Sequence, residues 1–252
     1  MHCWKLAFRS ALLLAALVLY LVSQLTGAET IFAGVENHPV ILLIILLVFV
    51  IEMLLRFFPS KTESMGCRKQ FAANFRPVPG TEGAVPHGLH RGVALTVAAW
   101  VVLNGTIGAL HFAGILDTGI LLLISLAYSV CDMVCILFFC PFQTWFMKNK
   151  CCTTCRIYNW DYAMMFTPLI FVRSWYCAVL VAVSLALLIH WEVLVHRRPE
   201  RFSEATNCSL QCQNCQEKLC SHKKQLHSFL QKNREHLNRM TQQLRRRERE
   251  KP

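Results

Sequence analysis

Eleven consecutive residues, Val40 to Val50 (VILLIILLVFV), carry no polar atom in any side chain. Such a run must be buried in protein or face lipid. About 20 mostly apolar residues, rising about 1.5 Å each, cross the roughly 30 Å hydrocarbon core of a bilayer. Five stretches approach that length: 10–25, 40–58, 93–116, 119–140 and 175–195. Each is bounded by charge or by a helix breaker: Arg9, Pro39, Pro59, Arg91, the Asp117-Thr118-Gly119 turn, Pro141 and Arg197. The expected fold is all-α: a polytopic bundle of five or six membrane spans over 1–200, then a soluble Cys-rich, basic helical tail over 201–252.

Composition supports that division. The 252-residue chain is 54% hydrophobic and only 16% charged, yet its formal net charge is +11. From His196 onward there are 14 of the 26 Lys and Arg against 6 acidic residues, so the tail holds +8 and the preceding 195 residues +3. A single water-soluble domain, a disordered chain and a disulfide-stapled miniprotein are all excluded by this composition.

Orientation follows from Lys and Arg in the short loops, which favour the cytoplasmic side. The loop after Pro59 carries Lys61, Arg68, Lys69, Arg76 and Arg91; the turn at Asp117 carries none; the stretch after Pro141 carries Lys148, Lys150 and Arg156. The first segment reads either as a retained signal-anchor or, from Lys5 and Arg9 before the apolar run and Thr26-Gly27-Ala28 after it, as a cleaved secretory signal. With five spans the basic tail ends outside, against the charge rule. Segment 157–172 (IYNWDYAMMFTPLIFV) resolves the conflict if it crosses. As an α-helix its sixteen residues reach only about 24 Å, and it contains Asp161 and Pro168. It reads as a short span, a re-entrant segment or an interfacial helix. A crossing makes six spans and leaves both termini in the cytoplasm.

Thirteen cysteines are unevenly placed. Cys131, Cys135 and Cys177 fall inside spans, where cysteine acts as a small apolar residue. Two groups stand out: Cys140, Cys151, Cys152 and Cys155 beside the membrane, and Cys208, Cys212, Cys215 and Cys220 in the tail. Grouped cytosolic cysteines more often bind metal or do redox work than form disulfides. Closely spaced thiolates suit zinc or an iron–sulfur cluster, both soft centres that accept four of them. Only Cys212 and Cys215 have the C-x2-C spacing, and the ferredoxin run is absent. Free thiols, or disulfides if the tail lies outside, are the alternatives.

An ionisable residue deep in a span is costly and marks a functional candidate. Asp132 is the leading one, with Asn104 at similar depth on the neighbouring span as its expected donor. The pair could serve as a proton relay or cation site, or join two helices by a hydrogen bond. Glu52 has Arg56 four residues on as a ready partner. His111 and His190 lie at different depths, which argues against a shared haem. In the tail, Leu219, Lys223, Leu226, Leu230, Asn233, Leu237, Met240 and Leu244 form a heptad seam, suited to a homodimeric coiled coil or to a helix folded back on the cytoplasmic loops. The basic run at 245–249 suits solvent or anionic lipid. Nucleic acid is not an expected partner, because no recognition motif accompanies that charge; the lipid bilayer is.

Three function classes follow. One is a membrane protein that holds a metal or iron–sulfur centre on cytoplasmic cysteines, in redox transfer or sensing. Another is a non-enzymatic scaffold or regulator whose zinc-stapled tail dimerises. The last is a small transporter that uses the intramembrane Asp132. No nucleophile–His–acid arrangement and no phosphate-binding loop is present, so the chain does not read as an enzyme of a familiar hydrolytic or nucleotide-using kind.

Overall fold

A computed structural model describes residues 2–27, 39–59, 65–81, 90–147 and 155–214. The chain divides into two units, Met1–Cys215 and Gln216–Pro252. The second unit, and with it the heptad seam and Cys220, lies outside the described residues, as do Cys151, Cys152 and Cys215.

Among the described residues the chain is helical and has no strand. The elements are α1 (His2–Thr26), α2 (Pro39–Leu55), α3 (Met65–Gln70), α4 (His90–Phe112), α5 (Thr118–Leu137), α6 (Asp161–Phe166) and α7 (Trp175–Arg197). Four of these, α1, α4, α5 and α7, are long and apolar enough to cross a membrane. Their outward faces carry exposed Leu14, Val18, Val101, Val102, Ile189 and Val193, which suits a surrounding of lipid. α2 is shorter at 17 residues. It is prolonged, however, by i→i−3 bonds from the amides of Arg56, Phe57 and Phe58. That tighter winding rises about 2.0 Å per residue, against about 1.5 Å for α.

Local chemistry sets the ends. After α4, Gly114 takes φ +76°. Its amide bonds to His111 O and that of Ile115 to Leu110 O, at 2.9 and 3.0 Å. This is a Schellman stop, in which a left-handed glycine lets the chain reverse. Asp117 then caps α5, accepting from the Ile120 amide at 2.7 Å and from Tyr20 Oη on α1 at 3.1 Å.

Side-chain contacts fix the levels of the elements. α1 and α5 run antiparallel, because Tyr20 meets Asp117 while Arg9 meets Asp132. Segment 157–172 is neither a single α-helix nor loop. It is a 3₁₀ turn (Arg156–Trp160), then α6, then a second 3₁₀ turn (Thr167–Phe171). At its start Ile157 packs beside Val93 in the first turns of α4. At its end Phe171 packs on Phe112 at a ring separation of 5.8 Å. The segment therefore runs the length of α4. With 3₁₀ turns at both ends its sixteen residues extend about 29 Å, against about 24 Å in α form. Pro168 contributes, since it has no amide hydrogen for an α-helical bond.

This irregular backbone is shielded by protein, as backbone with unsatisfied groups must be when lipid surrounds it. Tyr162, Met165, Phe166 and Leu169 are buried. Phe166 meets Phe49 of α2 edge-on at 5.5 Å. The Ser125 hydroxyl of α5 donates to Met165 O at 2.9 Å, and Trp100 Nε1 of α4 donates to Thr167 Oγ1 at 3.2 Å. At the level of its first turn, Glu192 of α7 accepts from Trp160 Nε1 at 2.7 Å and pairs with Arg156.

One end of the bundle gathers the described basic residues: Lys5, Arg9, Arg56, Arg68, Lys69, Arg76, Arg91, Arg156, Arg197, Arg198 and Arg201. Arg173 is the exception. This basic end carries a cap made from 65–81 and 199–214. Asn207, fully buried, accepts from the amides of Arg76 and Ser209 and donates to the carbonyls of Lys69 and Arg201. Pro77 and Asn207 form an isolated antiparallel bridge. Trp191 of α7, 1% exposed, secures the cap between Phe71 and Phe202 at 5.3 and 6.1 Å. The Cys-rich stretch as far as residue 214 thus belongs with the bundle. Asn207→Ala removes four hydrogen bonds worth about 1 kcal/mol each. It is expected to cost about 3 kcal/mol and to expose 199–214 to protease, as limited proteolysis in detergent would measure.

Candidate functional site

Two neighbouring features occupy the region toward the basic end: a buried ion network and an apolar cavity. The network begins with Arg9. As an expected boundary of the first span it belonged at the membrane surface, but α1 starts at His2 and places Arg9 seven residues inside the helix. The side chain is 2% exposed and fully engaged. Nη1 donates to Asp132 Oδ2 at 2.9 Å and to Ser129 O at 3.1 Å. Nη2 meets Glu52 Oε2 at 3.1 Å. Glu52 also holds Lys5 Nζ at 3.1 Å and accepts from Tyr162 Oη at 2.9 Å.

Arg56, likewise buried, makes a two-pronged pair with Asp161. Its guanidinium carbon lies 4.5 Å from the Tyr162 ring centroid, and that of Arg9 lies 5.8 Å from it. Tyr162 is thus flanked by two cations, an arrangement worth up to about 2 kcal/mol each when desolvated. Lys5, Arg9 and Arg56 balance Glu52, Asp132 and Asp161. Charge alternates through the cluster, as low dielectric requires: a buried ion survives only when paired and hydrogen-bonded.

Two expected pairings are corrected. Asp132 takes Arg9 rather than Asn104. The Asn104 amide instead donates to Trp100 O, one turn back, at 3.0 Å. Its Oδ1 is buried with no hydrogen-bond partner among the described residues. Arg56 passes over Glu52, one turn back on its own segment, for Asp161, because a planar carboxylate facing the guanidinium fork offers both oxygens at once. The two histidines are well apart: His111 Nδ1 sits 2.8 Å from Leu116 O near the Asp117 turn, and His190 packs on Phe57 at the other end.

The cavity, of about 300 Å³, opens between α4 and α5. Trp100 and Leu103 of α4, Tyr128, Cys131, Asp132, Cys135 and Ile136 of α5, and Ile157, Tyr158, Asp161 and Met165 of the irregular segment line it. Leu103 and Cys131 are exposed at its rim. Its floor at the basic end is Cys140, Phe142, Gln143 and Cys155. There the chain leaves α5 through a π-helical turn, Phe142–Phe146, closed by Met147 N to Phe142 O at 2.9 Å. Gly92 makes this possible. A Cβ at that position would lie 2.6 Å from Phe146 O and 3.3 Å from Met147 Sδ. Gly92→Ala is expected to displace the turn at a cost of about 1–3 kcal/mol, read as a lower Tm in detergent together with faster alkylation of Cys140.

The cysteine groups are brought together in part. Cys140 and Cys155 meet at the cavity, joined by Cys131 and Cys135, which the sequence offered only as span residues. The Cys135 and Cys140 side chains neighbour each other where α5 ends. Cys208 lies apart in the cap, its thiol donating to Pro77 O at 3.6 Å, and Cys212 sits on the next 3₁₀ turn. No three His, Cys, Asp or Glu among the described residues cluster as a metal site.

Chemically, the carboxylates at the cavity wall are already neutralised by guanidinium groups, which leaves the thiols as its reactive residues. Arg9, Asp161 and Tyr162 were not singled out as site residues from the sequence. The signal for Arg9 was a charge at the margin of an apolar run, which reads equally as a span boundary, and that for Asp161 was a charge inside segment 157–172, which counted only against a simple crossing. Compared with known proteins, the chain matches no family model, and no curated protein and no solved structure is significantly similar to it.

Proposed function

We propose that this chain is a six-pass membrane protein, both termini cytoplasmic, that binds a lipid-soluble ligand beside its cysteines and works in redox transfer or sensing. The observation that carries this is the apolar cavity lined by Cys131, Cys135, Cys140 and Cys155. Six crossings are supported by the full-length run of 157–172 alongside α4, and by the basic residues gathered at one end. Those residues favour the cytoplasmic face. The burial of Arg9 against Asp132 and Glu52 supports retention of α1 rather than its cleavage.

The test uses two maleimides, one membrane-permeant and one water-soluble, on the protein in vesicles, with labelled sites mapped by mass spectrometry. Thiol reactivity follows exposure as well as thiolate character, so Cys131 and Cys135 should react at least about tenfold faster with the permeant reagent. Equal rates with both reagents would mean a water-filled site and would sink the proposal.

Metal binding by the tail cysteines is a second reading, favoured by Cys208 and Cys212 on successive 3₁₀ turns of the cap. Iron and zinc analysis of anaerobically purified protein tests it. Stoichiometric metal lost in Cys208→Ser supports it, and metal-free folded protein refutes it.

A further inference from the structure

Four of the thirteen cysteines line one apolar cavity, and two of those, Cys135 and Cys140, flank the end of α5 five residues apart with neighbouring side chains. Resting on the proposed lipid-soluble ligand of that cavity, we propose that Cys135 and Cys140 are a redox dithiol that reduces a quinone bound there.

The local backbone allows the pair to close. Cys135 lies in the last turn of α5, and Cys140 follows three residues beyond the helix end at Leu137, where the chain has left the α-helical path. A disulfide needs Cα atoms about 4.4–6.8 Å apart; because α5 ends at Leu137, the separation of this pair is set by the irregular stretch 138–140 and not by an α-helical spacing of five residues.

The choice of oxidant follows from the walls. The cavity is apolar and its exposed rim residues, Leu103 and Cys131, sit on membrane-length helices, so an oxidant that partitions into lipid has direct entry. A quinone arrives through lipid, accepts two electrons and two protons, and presents a flat ring. Trp100 packs on Tyr128 at a ring separation of 4.9 Å and edge-on to Phe142 at 6.4 Å, giving the cavity one aromatic wall against which a flat ring can stack.

The step balances as follows. The S–H bonds of Cys135 and Cys140 break, one S–S bond forms, and two electrons and two protons pass to the quinone oxygens to give the quinol. A cytosolic dithiol restores the pair by thiol–disulfide exchange, reaching it through Cys140 at the basic end.

The experiment takes the full chain in detergent, reduced and then freed of reductant without oxygen, and adds a short-chain ubiquinone. Expected are one quinol formed and two thiols lost per chain, with Cys135 and Cys140 joined in the peptide map. Cys135→Ser and Cys140→Ser should each lower quinol formation by at least about tenfold, because neither thiol alone can close the disulfide. Cys3→Ser, on α1 and outside the cavity, should leave it unchanged, and the Tm of every variant should stay near that of the parent. Quinone binding is measured separately by equilibrium dialysis. Binding without thiol loss, or thiol loss that survives Cys135→Ser, overturns the dithiol while leaving the ligand cavity standing. Absence of binding overturns both. An unstable Cys135→Ser is replaced by Cys135→Ala, for which the same loss is expected and an unchanged rate is refuting.

Discussion

Arg9→Met is expected to be the most damaging single substitution in the bundle, lowering stability by about 3–5 kcal/mol, the usual result of removing one partner from a buried ion pair. Methionine fills much of the arginine volume, so the loss is electrostatic rather than a cavity. Asp132 loses the cation 2.9 Å away, the Ser129 carbonyl loses a donor, and Glu52 is left to Lys5 and Tyr162. The double variant Arg9→Met/Asp132→Leu removes both charges, and replacing a buried pair by apolar groups is often neutral. It should recover most of the lost stability. Thermal unfolding of the parent, the two single variants and the double variant, in one detergent, measures the coupling directly. An Arg9→Met protein that melts with the parent would show that the network contributes nothing to stability.

Trp191→Ala is expected to rank second, again at about 3–5 kcal/mol for deletion of a fully buried Trp, but with a different signature. Its rings of contact are Phe71 and Phe202, one from each half of the cap. Protease should therefore cut within 65–81 and 199–214 well before the bundle unfolds. Trp191→Phe supplies the control. The indole nitrogen is buried with no hydrogen-bond partner among the described residues, so phenylalanine forfeits packing volume and no hydrogen bond. Its cost should be a fraction of that of alanine, and the cap should stay resistant. Equal damage from both substitutions would point to an acceptor for the indole.

Much of the helical architecture was legible in the sequence, because lipid leaves a coarse signature. The stretches 93–116, 119–140 and 175–195 correspond to α4, α5 and α7 within a few residues, and the Asp117 cap falls where the turn was expected. Other features depend on partners distant in sequence. Nothing local tells that Arg9 extends its helix instead of ending it; Asp132, 123 residues away, decides that. Glu52 and Arg56 look like a helical pair because spacing is visible and the Asp161 carboxylate is not. The cysteines divided similarly. Cys140 and Cys155 were singled out by clustering in sequence, whereas Cys131 and Cys135 enter the site through a cavity that exists only once α4, α5 and the irregular segment assemble.

The 3₁₀ turns flanking α6 act as a ruler without slack. Ten residues wound at about 2.0 Å rise instead of about 1.5 Å give the segment roughly 5 Å of reach that an α-helix of the same sequence lacks. Its two ends are secured separately, Arg156 to Glu192 at one and Phe171 against Gly108 and Phe112 at the other. Rewinding either turn into α form therefore drags one anchor toward the other. The thickness of the bundle and the pitch of its central pillar are one variable, and Tyr158 and Asp161, at the first of the two turns, carry that variable into the wall of the cavity.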